Sequence, residues 1–127
     1  MRTALTVQLK TVTALGSRVY EFQTSPTGVV KPYAVLKFVS DLKDVQNKYG
    51  SIVDIQVFIY EAIGKLSSLD DIEIAVRKAL HNIDLYTNES PTRHFNCIFQ
   101  QTIGDLKDDT NGLIFKRLDF IIVGARA

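Results

Sequence analysis

Cys97, His81 and His94 are the residues most able to do covalent or metal chemistry, and the chain has no other cysteine or histidine. A nucleophilic thiol needs a base within hydrogen-bond reach. His94 stands three residues from Cys97, and on a strand that odd spacing sends the two side chains to opposite faces. Cys97 alternates with Phe95 and Phe99, which marks it as a small hydrophobe of a core. An enzyme built on it would need an exposed thiol of low pKa. Neither histidine has a second His or Cys at zinc-ligand spacing. Asp105, Asp108 and Asp109 could offer oxygen ligands, but Lys107 stands among them and no Glu closes the loop, so a solvated loop is the better reading. Lys43, Lys48 and Tyr49 could touch a phosphate backbone, yet Asp41 and Asp44 beside them cancel the local charge. No glycine-rich phosphate loop, HExxH, GxSxG or CxxC is present. The residues therefore point to no catalytic group, no cofactor and no metal.

The elements that would hold these residues can be read from periodicity. Residues 3–15 fit a helical stripe through Leu5, Leu9 and Val12, with Gly16 as its stop, but Leu5, Val7 and Leu9 also alternate as a strand would. Arg18–Phe22 is a short aromatic stretch, Gln23–Pro32 a loop, and Tyr33–Ser40 a strand. Asp41–Gly50 is charged and ends in Gly, as a solvated loop does. Ser51–Glu61 is the clearest strand: Val53, Ile55, Val57 and Ile59 share one face, and Asp54, Gln56, Phe58 and Tyr60 the other. Ser68–Leu85 is the clearest helix, with Ser68 as N-cap and Asp71 at the capping-box position. Asp70, Asp71 and Glu73 suit the positive end of its dipole, and Arg77, Lys78 and His81 the negative end. Leu69, Ile72, Val76, Leu80 and Ile83 form its apolar stripe. Thr87–Thr92 is a loop. His94–Ile103 alternates as a strand, Gly104–Gly112 is a polar connection ending in a strong turn pair, and Leu113–Val123 is the last strand. The order α-β-β-β-α-β-β predicts an α+β fold, a single mixed or antiparallel sheet of about four or five strands with two helices on one face.

Composition bounds the function. At 127 residues with no repeat and no shift in composition, residues 1–127 read as a single domain. Leu, Ile, Val and Phe make up about a third of the chain, enough for a core. A net charge of +1 offers no electrostatic case for wrapping a polyanion. No apolar run is long enough to span a bilayer, and the first residues do not form a signal peptide. The expectation is a soluble intracellular protein without a membrane partner.

Two surfaces stand out. Ile74 lies in the middle of the helix's polar side, among Asp70, Arg77 and Lys78. The outer sheet face mixes Phe58, Tyr60 and Ile98 with Asp54, Gln56, Asn96 and Gln100, too apolar for solvent alone and too polar for a core, as at a protein–protein interface.

The opening LGSRVYEF (with Gly16, Arg18, Val19 and Tyr20), a loop containing Pro26, then KPYAVLKFV (with Pro32 and Tyr33) precede IVDIQVFIYEA, LDDIEIAVRKAL and KRLDFIIVG. In order and spacing this resembles the tail completion, or tail-to-head joining, proteins of long-tailed bacteriophages, whose fold is similar to that of lambda-type tail terminators. The resemblance implies a structural virion protein with no catalytic residue. It would cap the head-proximal end of the tail tube as a hexameric ring and join it to the head connector. DNA would pass through the lumen without sequence-specific binding. The protein would act at the head–tail interface of the virion and assemble in the host cytoplasm, with protomers monomeric until they dock. The resemblance also favours helix for residues 3–15. On this reading Asp54, Gln56, Phe58, Tyr60, Ile74, Lys43, Lys48, Asp105, Lys107, Asp108 and Asp109 would meet protein partners. The competing expectation is a small cytoplasmic α+β ligand-binding or regulatory domain, which requires a formed apolar pocket with convergent polar groups.

Overall fold

The computed structural model describes residues 2–21, 31–41, 51–86 and 94–124. Period-two alternation builds its sheet. In β3 (Ser51–Ala62), Val53, Ile55, Val57 and Ile59 are buried, while Asp54, Gln56, Phe58 and Tyr60 between them keep partial exposure on the other face. In β6 (Leu113–Gly124), Leu118, Phe120 and Ile122 are buried in the same way. With β1 (Val19–Glu21), β2 (Tyr33–Asp41), β4 (Ile83–Tyr86) and β5 (His94–Asp108), they form one six-stranded sheet in the order β1-β2-β3-β6-β5-β4. Every pairing is antiparallel except β1 with β2.

Both helices lie on the face that these aliphatic residues create. From α1 (Arg2–Leu9) and the turns after it come Leu5, Leu9, Val12 and Leu15, and from α2 (Leu66–Leu80) come Leu69, Ile72, Val76 and Leu80. They share one core with Leu36, Ile55, Ile59, Cys97, Leu118 and Phe120 of the sheet. Each large side chain so buried contributes about 1.5–3 kcal/mol. Gln8 ties the helices together, its Nε2 donating to the Ala79 carbonyl at 2.8 Å. The architecture is the expected α+β sheet with two helices on one face; the sixth strand is β4.

Three local expectations change. The first helix stops at Leu9, and residues 10–17 continue as turns closed by hydrogen bonds such as Leu15 N–H to the Val12 carbonyl at 3.0 Å. The β-branched run Thr11, Val12, Thr13 weakens helix there. Gly16 stands at φ +55, the left-handed geometry of a stop.

The second helix spans Leu66–Leu80 rather than Ser68–Leu85. Lys65 sits at the N-cap without a side-chain cap, and the Ser68 hydroxyl donates instead to Oε2 of the buried Glu61 at 2.9 Å. After Leu80 the chain turns extended at His81 and left-handed at Asn82 (φ 57), and Ile83–Tyr86 joins the sheet as β4. Ile83 continues the helical stripe in sequence, yet it stands opposite Cys97 in a strand pair.

The third change concerns β5. It runs on to Asp108, so Gly104–Asp108 is strand and only residues 109–112 turn. Register shifts against β6 fall between Phe99 and Gln101 and between Ile103 and Leu106. The first is a bulge that exchanges the faces of the residues beyond it: Thr102 stands opposite buried Leu118, and Ile103 opposite Arg117 on the outer side.

Candidate protein interface

The outer face of the sheet carries a row of aromatic rings across four strands. Tyr33 stacks on Tyr60 with centroids 4.8 Å apart, and Tyr60 on Phe115 at 5.2 Å. Tyr20 meets Tyr33 edge-on at 6.3 Å, and Phe58 lies 6.4 Å from Tyr60 and 6.5 Å from Phe115. The register causes this, since Tyr33, Tyr60 and Phe115 are successive cross-strand partners. Rings stacked on one another leave their edges and hydroxyls, rather than their faces, for a partner. Burial pushes the Tyr60 phenol above its usual 10, with Tyr33 and Asp108 adding to it; burial and then Asp108 do the same for Tyr33. Both therefore remain neutral donors.

Beside the aromatic row the face turns polar. Arg117 holds Asp119 through two hydrogen bonds, Nε to Oδ1 at 2.9 Å and Nη2 to Oδ2 at 3.0 Å. Gln101 Nε2 donates to the same carboxylate at 2.8 Å. Gln56 is the cross-strand neighbour of both Lys37 and Asp119. Of the residues expected at an interface, Asp54, Gln56, Phe58 and Tyr60 thus share one continuous surface with Tyr33, Phe115, Arg117 and Asp119. Sequence reasoning singled out none of these last four for this face, although the alternation of Tyr33–Ser40 and of Leu113–Val123 carries the signal that places them there.

The acidic run lies at the β5–β6 hairpin end. Asp108 organises the turn: its Oδ1 accepts from the Asn111 backbone N–H at 3.3 Å and its Oδ2 from the Asn111 side-chain amide at 2.8 Å. Lys107 and Asp109 pair at 3.1 Å, both exposed. Asp105 belongs to the strand and holds φ +56 at the second register shift. Expected as members of a solvated loop, these residues are instead mostly strand and turn. Lys43 and Lys48 lie outside the described residues.

Ile74 is 49% exposed on α2, away from the other named residues. Beside it a shallow groove of about 410 Å³ is lined by Ile74, Arg77, Lys78, His81 and Phe99. The Arg77 guanidinium lies 4.3 Å above the Phe99 ring. His81 Nδ1 accepts the backbone N–H of Phe99 at 3.0 Å. One turn towards the helix N-terminus, Lys116 reaches up from β6 to Asp70 at 2.7 Å and Glu73 at 2.9 Å, and the Thr102 hydroxyl donates to Glu73 at 2.9 Å. Burial opposes both charges. The hydrogen bonds and charges of the pairing outweigh it, holding the Glu73 carboxyl low and the Lys116 ammonium high.

Cys97 is fully buried, and burial pushes its thiol up to about 12, the reverse of what a nucleophile needs. Among the described residues no group of three or more His, Cys, Asp or Glu could hold a metal ion. Among the same residues no helix is long and apolar enough to cross a membrane.

No protein-family model and no curated protein matches the sequence. The fold does have a solved counterpart. A chain from the virion of a native gene transfer agent particle is similar at a TM-score of 0.74, over 99% of this chain and 95% of that one. Identity between the two is 16%, so the likeness is one of fold.

Proposed function

We propose that this chain is a structural protein of a phage-like virion. Within that role it caps the head-proximal end of the tail tube and joins the tail to the head connector. The observation that carries the reading is the end-to-end match of fold with a chain of a virion particle. The aromatic outer face supports it, because a partly exposed aromatic row flanked by a hydrogen-bonded polar network has the make-up of a protein contact.

In the assembled tail the chain forms a hexameric ring. A closed ring needs two different patches per protomer. The outer sheet face is one, and the helix surface around Ile74 is the other. The β5–β6 hairpin tip, with Lys107, Asp108 and Asp109, reaches tube or connector. DNA passes the lumen without sequence-specific contact, which suits a net charge of +1.

The test is light scattering of the protein alone and with purified tail tubes, paired with negative-stain imaging of tube ends. Added density at one end of the tube is the expected result. No association with tubes overturns the tail-joining role and directs the next step to a metabolite screen for a ligand-binding domain.

A further inference from the structure

The solvent side of α2 is organised by position. Leu66 and Ile74 are 46% and 49% exposed, and the turn before the helix adds Ile63 at 47%. Asp70 and Asp71 stand exposed near the N-terminal end, and Arg77, Lys78 and His81 near the C-terminal end, where the Phe99 ring floors the groove. A helix dipole by itself selects acids first and bases last. It does not call for three large aliphatic side chains on the same exposed stretch, one of them midway between the opposed charges. Among the described residues Asp71 and Lys78 make no ion pair within the chain.

We propose that this face pairs with a second copy of the chain, α2 against α2, antiparallel, about a two-fold axis at Ile74. Ile74 is close to the middle of the segment Leu66–His81. An antiparallel partner therefore brings its acidic end over this chain's basic end, and the reverse, in one self-complementary contact. Asp70 and Asp71 of one copy meet Arg77 and Lys78 of the other twice over. Leu66 of each copy drops towards the groove at Phe99, and the two Ile74 side chains meet at the axis. A helix of 15 residues is about 22 Å long, so the contact is small and the dimer weak and concentration-dependent. The pairing stands on the helix face alone. Its consequence rests on the tail-joining reading: a paired α2 hides one of the two ring patches, so free protein is kept from closing rings away from a tube.

The test is sedimentation equilibrium without tail tubes, from about 1 µM to about 1 mM, the range expected of a small interface. Wild type should pass from the monomer mass to twice that mass, with weaker association in high salt. Ile74→Asp should raise the dissociation constant by at least about tenfold. Asp71→Lys and Lys78→Glu each set like charges against one another across the axis and should each be monomeric; mixed in equal amounts they should form a heterodimer. Both sites are exposed, and circular dichroism checks that the variants fold. A wild type that stays monomeric throughout, or association that Ile74→Asp leaves unchanged, or a mixture no more associated than its parts, overturns the pairing. Because no tube is present, any of these results leaves the tail-joining reading to its own experiment.

Discussion

Lys116 joins β6 to α2 through two carboxylates. Its ammonium is buried beneath α2 and holds both Asp70 and Glu73. Lys116→Met keeps the aliphatic stem and removes the charge, leaving Glu73 with Thr102 and the more distant Arg77. The expected loss is roughly 1–3 kcal/mol, read from urea denaturation. The same pair gives stability a pH window. The Glu73 carboxyl is held below its ordinary 4.5 in the fold, so its contribution is whole above that value and is lost as the pH falls through the lower folded value. Lys116 is held above its ordinary 10.5, so its contribution is whole below that value and fades as the pH climbs through the higher folded one. The stability gap between wild type and Lys116→Met should therefore be flat from about 5 to 10 and narrow at both ends. Cys97 offers a second residue-scale check. A buried thiol raised to about 12 should react with a thiol reagent only as fast as the protein opens, and promptly once it is denatured. Prompt labelling of the native protein would restore Cys97 as a candidate nucleophile.

At the scale of elements, the turn between β5 and β6 sets the register of the longest hairpin. Gly112 stands there at φ +65, and a Cβ added to it would meet nothing within 4 Å. Gly112→Ala should therefore be destabilising through backbone geometry alone, by about 1–2 kcal/mol, with the folded spectrum retained. Elements whose side chains alternate without interruption were legible in the sequence. In β3 the β-branched residues face the core at every second position, and nothing competes with that signal. The outward-facing half of the same strand was legible too, because Phe58 and Tyr60 break its polar pattern and all four of its residues keep partial exposure. What pattern could not show was where alternation shifts. The bulge at Gln100 puts Thr102 beneath α2 and Ile103 outside, a change that depends on pairing with β6. The exit from α2 was hidden for a related reason: Ile83 fits both the helical stripe and a strand, and the left-handed turn at Asn82 decides between them. Lys116 escaped notice because a lysine on a strand reads as solvent-facing until the helix above supplies two carboxylates.

At the scale of the molecule, the two candidate surfaces lie on opposite sides of the sheet, since α2 covers the face away from the aromatic row. That separation lets one substitution divide the proposed roles. Tyr60 is stacked between Tyr33 and Phe115, and Tyr60→Asp puts a carboxylate into that row near Asp108. Tube-end density should disappear, because an interface centred on stacked aromatic groups tolerates a desolvated charge poorly. Association through α2 should persist, because Ile74, Arg77 and Lys78 are untouched on the far side. The substitution also removes ring contacts, so some loss of stability accompanies it, of order 1–2 kcal/mol. Gln56→Arg supplies the control: it changes bulk and charge on the polar half of the same face without entering the aromatic row, and it should weaken tube capping while leaving the denaturation midpoint close to wild type. If both variants cap tubes as wild type does, the outer face is not the contact. If Gln56→Arg alone caps normally, the contact is confined to the aromatic rows, from Tyr20 across Tyr33 and Tyr60 to Phe115.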